Sequence, residues 1–174
     1  VSVLSVDMWV DGDYIGKMST FEVLAAEMVT AILVKYPQTP ARQCIVARHQ
    51  QIESVLVASH IRYPNMPMEM IATIGFLETH LGCARGQGGN WGAPISPQQR
   101  HVAGTPMQAA VALWRSYEVC HNWEGAARRF RTGLCEATPI GTRYGRLAMN
   151  LSYNIRMQVL ANREYETRVC IHQP

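Results

Sequence analysis

From Val1 to Met18 apolar and polar residues alternate about an Asp11-Gly12 pair. That is the period of a half-buried strand broken by a tight primed turn, so VDMWVDGDYIGKM predicts a β-hairpin. From Ser19 the period changes to three and four. Ser19 and Glu22 form a capping box ahead of Phe21, Leu24, Ala25, Met28, Ile32 and Leu33, and Pro37 closes that helix. Thr39-Pro40 opens a second helix carrying Ile45, Ile52 and Leu56, which stops near Tyr63-Pro64. A third runs from Pro67 to Leu81. Past a loop rich in glycine and proline, Thr105, Pro106 and Gln108 start a fourth helix, whose predicted face is Met107, Ala110, Val111, Trp114 and Tyr117. Asn122 begins a short fifth with Trp123, Ala127 and Phe130, ending at Gly133. Tyr144, Leu147, Ala148, Leu151 and Ile155 mark a long last helix. The pattern gives a mainly α chain with a short N-terminal β-hairpin: residues 1–18 form the hairpin extension and 19–174 a helical domain.

The third helix carries the candidate chemistry. Met70, Ile71, Ile74, Leu77 and Leu81 share one face. Glu78 falls on that face, four residues after Ile74, and Gly82 is placed to end the helix. Apolar surroundings and the negative end of the helix dipole both disfavour a charged carboxylate there. A carboxyl that keeps its proton beside a glycine-rich loop suits a general acid for glycosidic cleavage. A buried glutamate paired with a cation such as Arg85 is the structural alternative.

Composition narrows the choices. The chain has 174 residues, 48% of them hydrophobic, enough for one substantial core. It contains no apolar run of membrane-spanning length. No secretion signal is visible, and the chain begins at Val1, so absence of a leader decides nothing. The net charge is +3, but it is unevenly placed. From Ala84 onward eleven arginines face five glutamates. Such a half can meet a polyanion or the carboxylates of peptidoglycan stem peptides. No zinc finger, RNA-binding aromatic signature or lysine-rich tail points to nucleic acid. Asp7, Asp11 and Asp13 are the only aspartates. They do not make a calcium loop, because no glutamate closes one. Cys44, Cys83, Cys120, Cys135 and Cys170 lack metal-ligand spacing. Either one disulfide forms among Cys83, Cys120 and Cys135 in an oxidising compartment, or all five are small buried residues. No metal and no cofactor is expected.

Over roughly Met66 to Asn154 the order of motifs is specific. A helix ends in Glu78-Thr79, and Gly92-Ala93-Pro94-Ile95 follows the glycine-rich loop. Trp123 and Ala126-Ala127 precede Arg129-Phe130-Arg131-Thr132-Gly133, and Tyr144-Gly145 opens the last helix. This order and spacing resembles the lysozyme-like lytic transglycosylases, which cleave the glycan strands of peptidoglycan. The family's Glu-Ser pair falls on Glu78-Thr79, its Gly-Leu-Met-Gln on Gly92 to Ile95, its Ala-Tyr-Asn-x-Gly on Arg129 to Gly133, and its later Tyr-Val on Tyr144-Gly145. Glu78, Gly92, Gly133 and Tyr144 match. The chain departs at Ile95 for glutamine, Phe130 for tyrosine and Arg131 for asparagine, and each change removes a group that would bond sugar or the acid.

The resemblance implies a lysozyme-like domain in which Glu78 is catalytic and Thr79, Trp91, Gly92, Phe130 and Tyr144 line the substrate. Trp91 would stack on a sugar face or pack in the core, Thr79 would bond near Glu78 or cap the helix, and Phe130 would support the wall. The chain has no aspartate after Asp13, and Glu118, Glu124 and Glu136 lie on or beside other helices. A two-carboxylate mechanism is therefore poorly served. In the resembled family one glutamate protonates the glycosidic oxygen and then serves as base, while the muramic C6 hydroxyl attacks to leave a 1,6-anhydro end. The expected setting is the periplasm, cell envelope or a virion, in a secretion, conjugation or phage assembly. The alternative is a lysozyme-like structural or binding component of such an assembly, with weak or lost chemistry.

Overall fold

The computed structural model describes residues 5–10, 13–84, 91–92 and 105–172, with side chains over 20–84, 91–92 and 105–162. The protein is mainly helical. Strands β1 (Ser5–Val10) and β2 (Asp13–Ser19) pair antiparallel, with Val6 opposite Met18, Trp9 opposite Tyr14 and an irregularity between Met8 and Trp9. The expected Asp11-Gly12 turn lies outside the described residues. β2 runs straight into α1 (Thr20–Lys35), followed by α2 (Arg42–Ala47), α3 (His49–Arg62), α4 (Met68–Thr79), α5 (Pro106–Cys120), α6 (Trp123–Thr132) and α7 (Pro139–His172).

The helix α4 is the axis of the bundle. Met68 and every residue from Met70 to Phe76 are buried, and α1, α3, α5 and α7 pack around it. A helix apolar on all sides belongs at the centre of a core. The expected single face over Met70, Ile71 and Ile74 is thus part of a wider burial. Leu77 and Glu78 are the half-buried exceptions at its C-terminal end. At the other end Glu69 accepts from Arg156 of α7, with Arg156 Nη2 at 2.8 Å and Nε at 2.9 Å, fixing α7 across the start of α4.

Three boundaries differ from the sequence pattern. The second predicted helix is two, α2 and α3, because Arg48 leaves helical geometry at φ −107° and ψ 15°. Its guanidinium reaches the Gly82 carbonyl (3.4 Å) and Gln51 (3.1 Å). The central helix stops at Thr79, short of Leu81, since His80 is already left-handed and Gly82 lies beyond the cap. The last helix starts at Pro139, where Thr138 Oγ1 accepts from the Gly141 N–H at 3.0 Å. Tyr144 therefore sits in its second turn and does not open it.

Other signals act as the pattern predicts. Gln108 Oε1 accepts from the Thr105 N–H at 2.7 Å at the head of α5. Asn122 Oδ1 accepts from the Gly125 N–H at 2.6 Å at the head of α6, which Gly133 ends at φ 80°. On α5 the buried residues are Ala109, Ala110, Leu113 and Ser116. Met107, Trp114 and Tyr117 are half-buried, rotated from the predicted face because Trp114 and Tyr117 join a stack with Tyr63 and Trp123.

Two disulfides staple the bundle, one within the set Cys83, Cys120 and Cys135 and one that brings in Cys44, so the reading of all five as small buried residues does not hold: Cys44–Cys83 joins α2 to the turn after α4, and Cys120–Cys135 joins α5 to the segment after α6. Chains closed over 39 and 15 residues gain about 4 and about 3 kcal/mol from the lost freedom of the unfolded state. The Cys170 side chain lies outside the described residues.

Candidate active site

The site is built where α4 ends. His80 (φ 49°), Leu81 (φ 58°) and Gly82 (φ 80°) form a run of three left-handed residues. A residue with a Cβ pays about 1–2 kcal/mol to adopt that conformation, so the run needs restraints. Leu81 is buried and its N–H bonds the Gly75 carbonyl at 2.9 Å, while His80 bonds Phe76. The Ala84 N–H reaches Thr79 O at 2.8 Å, and the Gly82 N–H donates to Thr79 Oγ1 at 3.0 Å. Cys83 then ties the turn to α2. The left-handed turn begins two residues after Glu78, which lies in the last turn of α4.

Trp91 and Gly92 lie against one side of α4. Trp91 is 1% exposed and its ring covers Gly75, where a Cβ would come within 2.5 Å of the ring. Gly92, at φ +78°, lies on Glu78, where a Cβ would stand 2.7 Å from Cγ and 2.9 Å from Oε2. Gly75 and Glu78 are three apart on one helical face. A glycine inside an apolar helix signals a close approach of this kind, and Gly75 is a site residue that the periodicity of α4 does not single out.

Two further residues come from the other helices. Arg131, on the last turn of α6, has Nη1 3.7 Å from Glu78 Oε2, and its Cζ lies 5.9 Å from the centre of the Tyr144 ring. Tyr144 of α7 points its hydroxyl into the site. Neither that hydroxyl nor Glu78 Oε1 closes a well-formed hydrogen bond among the described residues, although both are buried. Burial first, then the charge and acceptor oxygen of Glu78, hold the tyrosine proton far above its ordinary range, and Arg131 opposes them. Glu78, Gly92, Arg131 and Tyr144 therefore meet in one place.

The other sequence-predicted residues do not. Trp91 cannot offer a face to a sugar, because its ring is spent on Gly75. Thr79 is 3% exposed and its hydroxyl accepts from Gly82, so it caps the turn and does not reach a substrate. Phe130 is 5% exposed and belongs to the core behind Arg131. Arg85 and Ile95 lie outside the described residues. Among the described residues Arg131 is the cation beside Glu78, and no local spacing links positions 53 residues apart in the chain.

What the arrangement can do follows from its parts. The Glu78 side chain is 12% exposed and held on a helix end, with Oε2 beside Gly92 and Arg131 and Oε1 closing no well-formed hydrogen bond among the described residues. Such a carboxyl can pass a proton to a bound oxygen and take one back. Three other acids pair away from the site: Glu53 with His49, Glu69 with Arg156 and Glu124 with Arg128. Among the described residues no group of three or more histidines, cysteines or acids could hold a metal, and no helix is long and apolar enough to cross a membrane. Comparison with known family models, with curated protein sequences and with solved structures found no match.

Proposed function

We propose that this chain is a distant lysozyme-like lytic transglycosylase that cleaves the β-1,4 bond between N-acetylmuramic acid and N-acetylglucosamine in peptidoglycan, with Glu78 as its one acid and base. The observation that carries the reading is the setting of Glu78: a mostly buried carboxylate, clamped by Gly92 and faced by Tyr144, with Oε1 closing no well-formed hydrogen bond among the described residues. Protonation of the leaving oxygen by Glu78 and attack by the sugar's own C6 hydroxyl dispense with a second carboxylate. Tyr144 remains neutral throughout and serves as a fixed hydroxyl next to the acid. Two disulfides support an oxidising location such as the periplasm, envelope or a virion.

A second reading has its own observation. Arg131 lies against Glu78, as a structural ion pair would, and Trp91, Thr79 and Phe130 are packed inward. On that reading the domain is a structural or binding component of an assembly that crosses the wall. Incubation with purified peptidoglycan and mass analysis of the released muropeptides separates the two, since only the first yields fragments.

A further inference from the structure

Helix α6 carries three arginines, and two are committed to the fold. Arg128 Nε donates to the Cys135 carbonyl at 2.7 Å and its Nη1 lies 3.8 Å from Glu124. Arg129 Nη1 donates to Ser116 Oγ at 3.3 Å. Arg131 is different. Its contacts among the described residues are Glu78 Oε2 at 3.7 Å, beyond hydrogen-bond length, and the face of Tyr144. Its side chain is 52% exposed, whereas that of Glu78 is 12% exposed. The guanidinium thus reaches the site with its N–H donors uncommitted among the described residues.

Physical chemistry says what such a group binds. An ion pair with one partner half in water contributes little, so Glu78 holds Arg131 weakly. The tyrosine ring beside the guanidinium favours one placement of its plane. A planar fork of donors matches a carboxylate in a two-point contact, which a neutral sugar hydroxyl cannot return. Muramic sugars bring carboxylates: the lactyl group when the strand is bare, the stem peptide when it is attached.

We infer that Arg131 is a specificity-determining residue that selects carboxylate-bearing glycan, exchanging Glu78 for the substrate's carboxylate on binding. The exchange frees Glu78 for the glycosidic oxygen at the moment the anionic strand arrives. A neutral strand leaves the Arg131–Glu78 pair closed. This inference rests on the glycan-cleaving reading and names the substrate class for it.

The test compares the unmodified protein with Arg131→Gln and Arg131→Lys, each shown to be folded by its melting curve. Three substrates are used: peptide-bearing glycan strands, strands stripped by an amidase, and a neutral chito-oligosaccharide of matched length. Calorimetric binding and kcat/KM are read for each. The unmodified protein should favour an anionic strand over the neutral one by about tenfold or more, the scale of one charge-assisted hydrogen bond. Arg131→Gln should reduce that ratio toward one, mainly through KM, and Arg131→Lys should restore part of it. Preference for stripped strands assigns the lactyl carboxylate, and preference for peptide-bearing strands assigns the peptide. Equal kcat/KM on anionic and neutral strands, or a preference that survives in Arg131→Gln, overturns the inference alone. Neither binding nor cleavage of any of the three overturns the glycan reading and the inference with it.

Discussion

Gly92 rests on the side chain of Glu78 with no room for a Cβ, and it does so at φ +78°, where residues with a side chain are strained. Steric contact and backbone conformation therefore ask for glycine independently. Gly92→Ala should lose about 1–3 kcal/mol, the sum of a left-handed alanine and a displaced neighbour. For a chain of this size each kcal/mol lowers Tm by about 2–4 °C. Any turnover that depends on Glu78 should fall further than the stability loss explains, because the carboxylate itself is pushed. A variant with unchanged Tm and turnover would show that the contact constrains nothing.

Trp91 makes the second half of the same clamp. Replacing a fully buried tryptophan by alanine removes its contacts and leaves a cavity over Gly75, at a cost of about 3–5 kcal/mol. Gly75→Ala should also destabilise, by about 1–3 kcal/mol, through overpacking against the ring. Denaturant melts of both variants check this. Loss of glycan affinity at native stability in Trp91→Ala would restore Trp91 to the substrate surface.

Tyr144 gives a pH signature. Its pKa is raised in the folded protein, so below pH 10 both states hold the proton and the group contributes no slope. Above about pH 10 the unfolded chain releases the proton while the folded chain retains it. The unfolded state gains, and stability falls by about 1.4 kcal/mol per pH unit from this residue. Tyr144→Phe has no proton to lose and removes a buried hydroxyl without a well-formed bond. It should match or exceed the unmodified protein at pH 7 and lose less stability between pH 10 and 11. Parallel alkaline curves for the two proteins would place the hydroxyl in water.

Local rules are legible in the sequence where local chemistry decides the structure. Thr105 and Gln108, Asn122 and Gly133 each fix a helix end through partners within a few residues, and all four act where the pattern puts them. Helix ends set by distant groups are not legible in that way. Arg48 breaks α2 from α3 while reaching Gly82, and Thr79 ends α4 ahead of a turn that Cys44 holds from the far side. Residue type identified Glu78, and Gly92 and Tyr144 join it through tertiary packing. Read along the chain, Arg131 shows only the asparagine it replaces, and not what its own side chain touches. Trp91 carried two readings, and burial decides for packing.

The central claim is that Glu78 cleaves glycan strands without a second carboxylate. Purified peptidoglycan incubated with the unmodified protein and with Glu78→Gln, followed by mass analysis of the soluble products, addresses it most directly. The account predicts muropeptides ending in 1,6-anhydro-muramic acid, which resist borohydride, from the unmodified protein, and none from a folded Glu78→Gln. Products with reducible ends, or equal release by the two proteins, would contradict it.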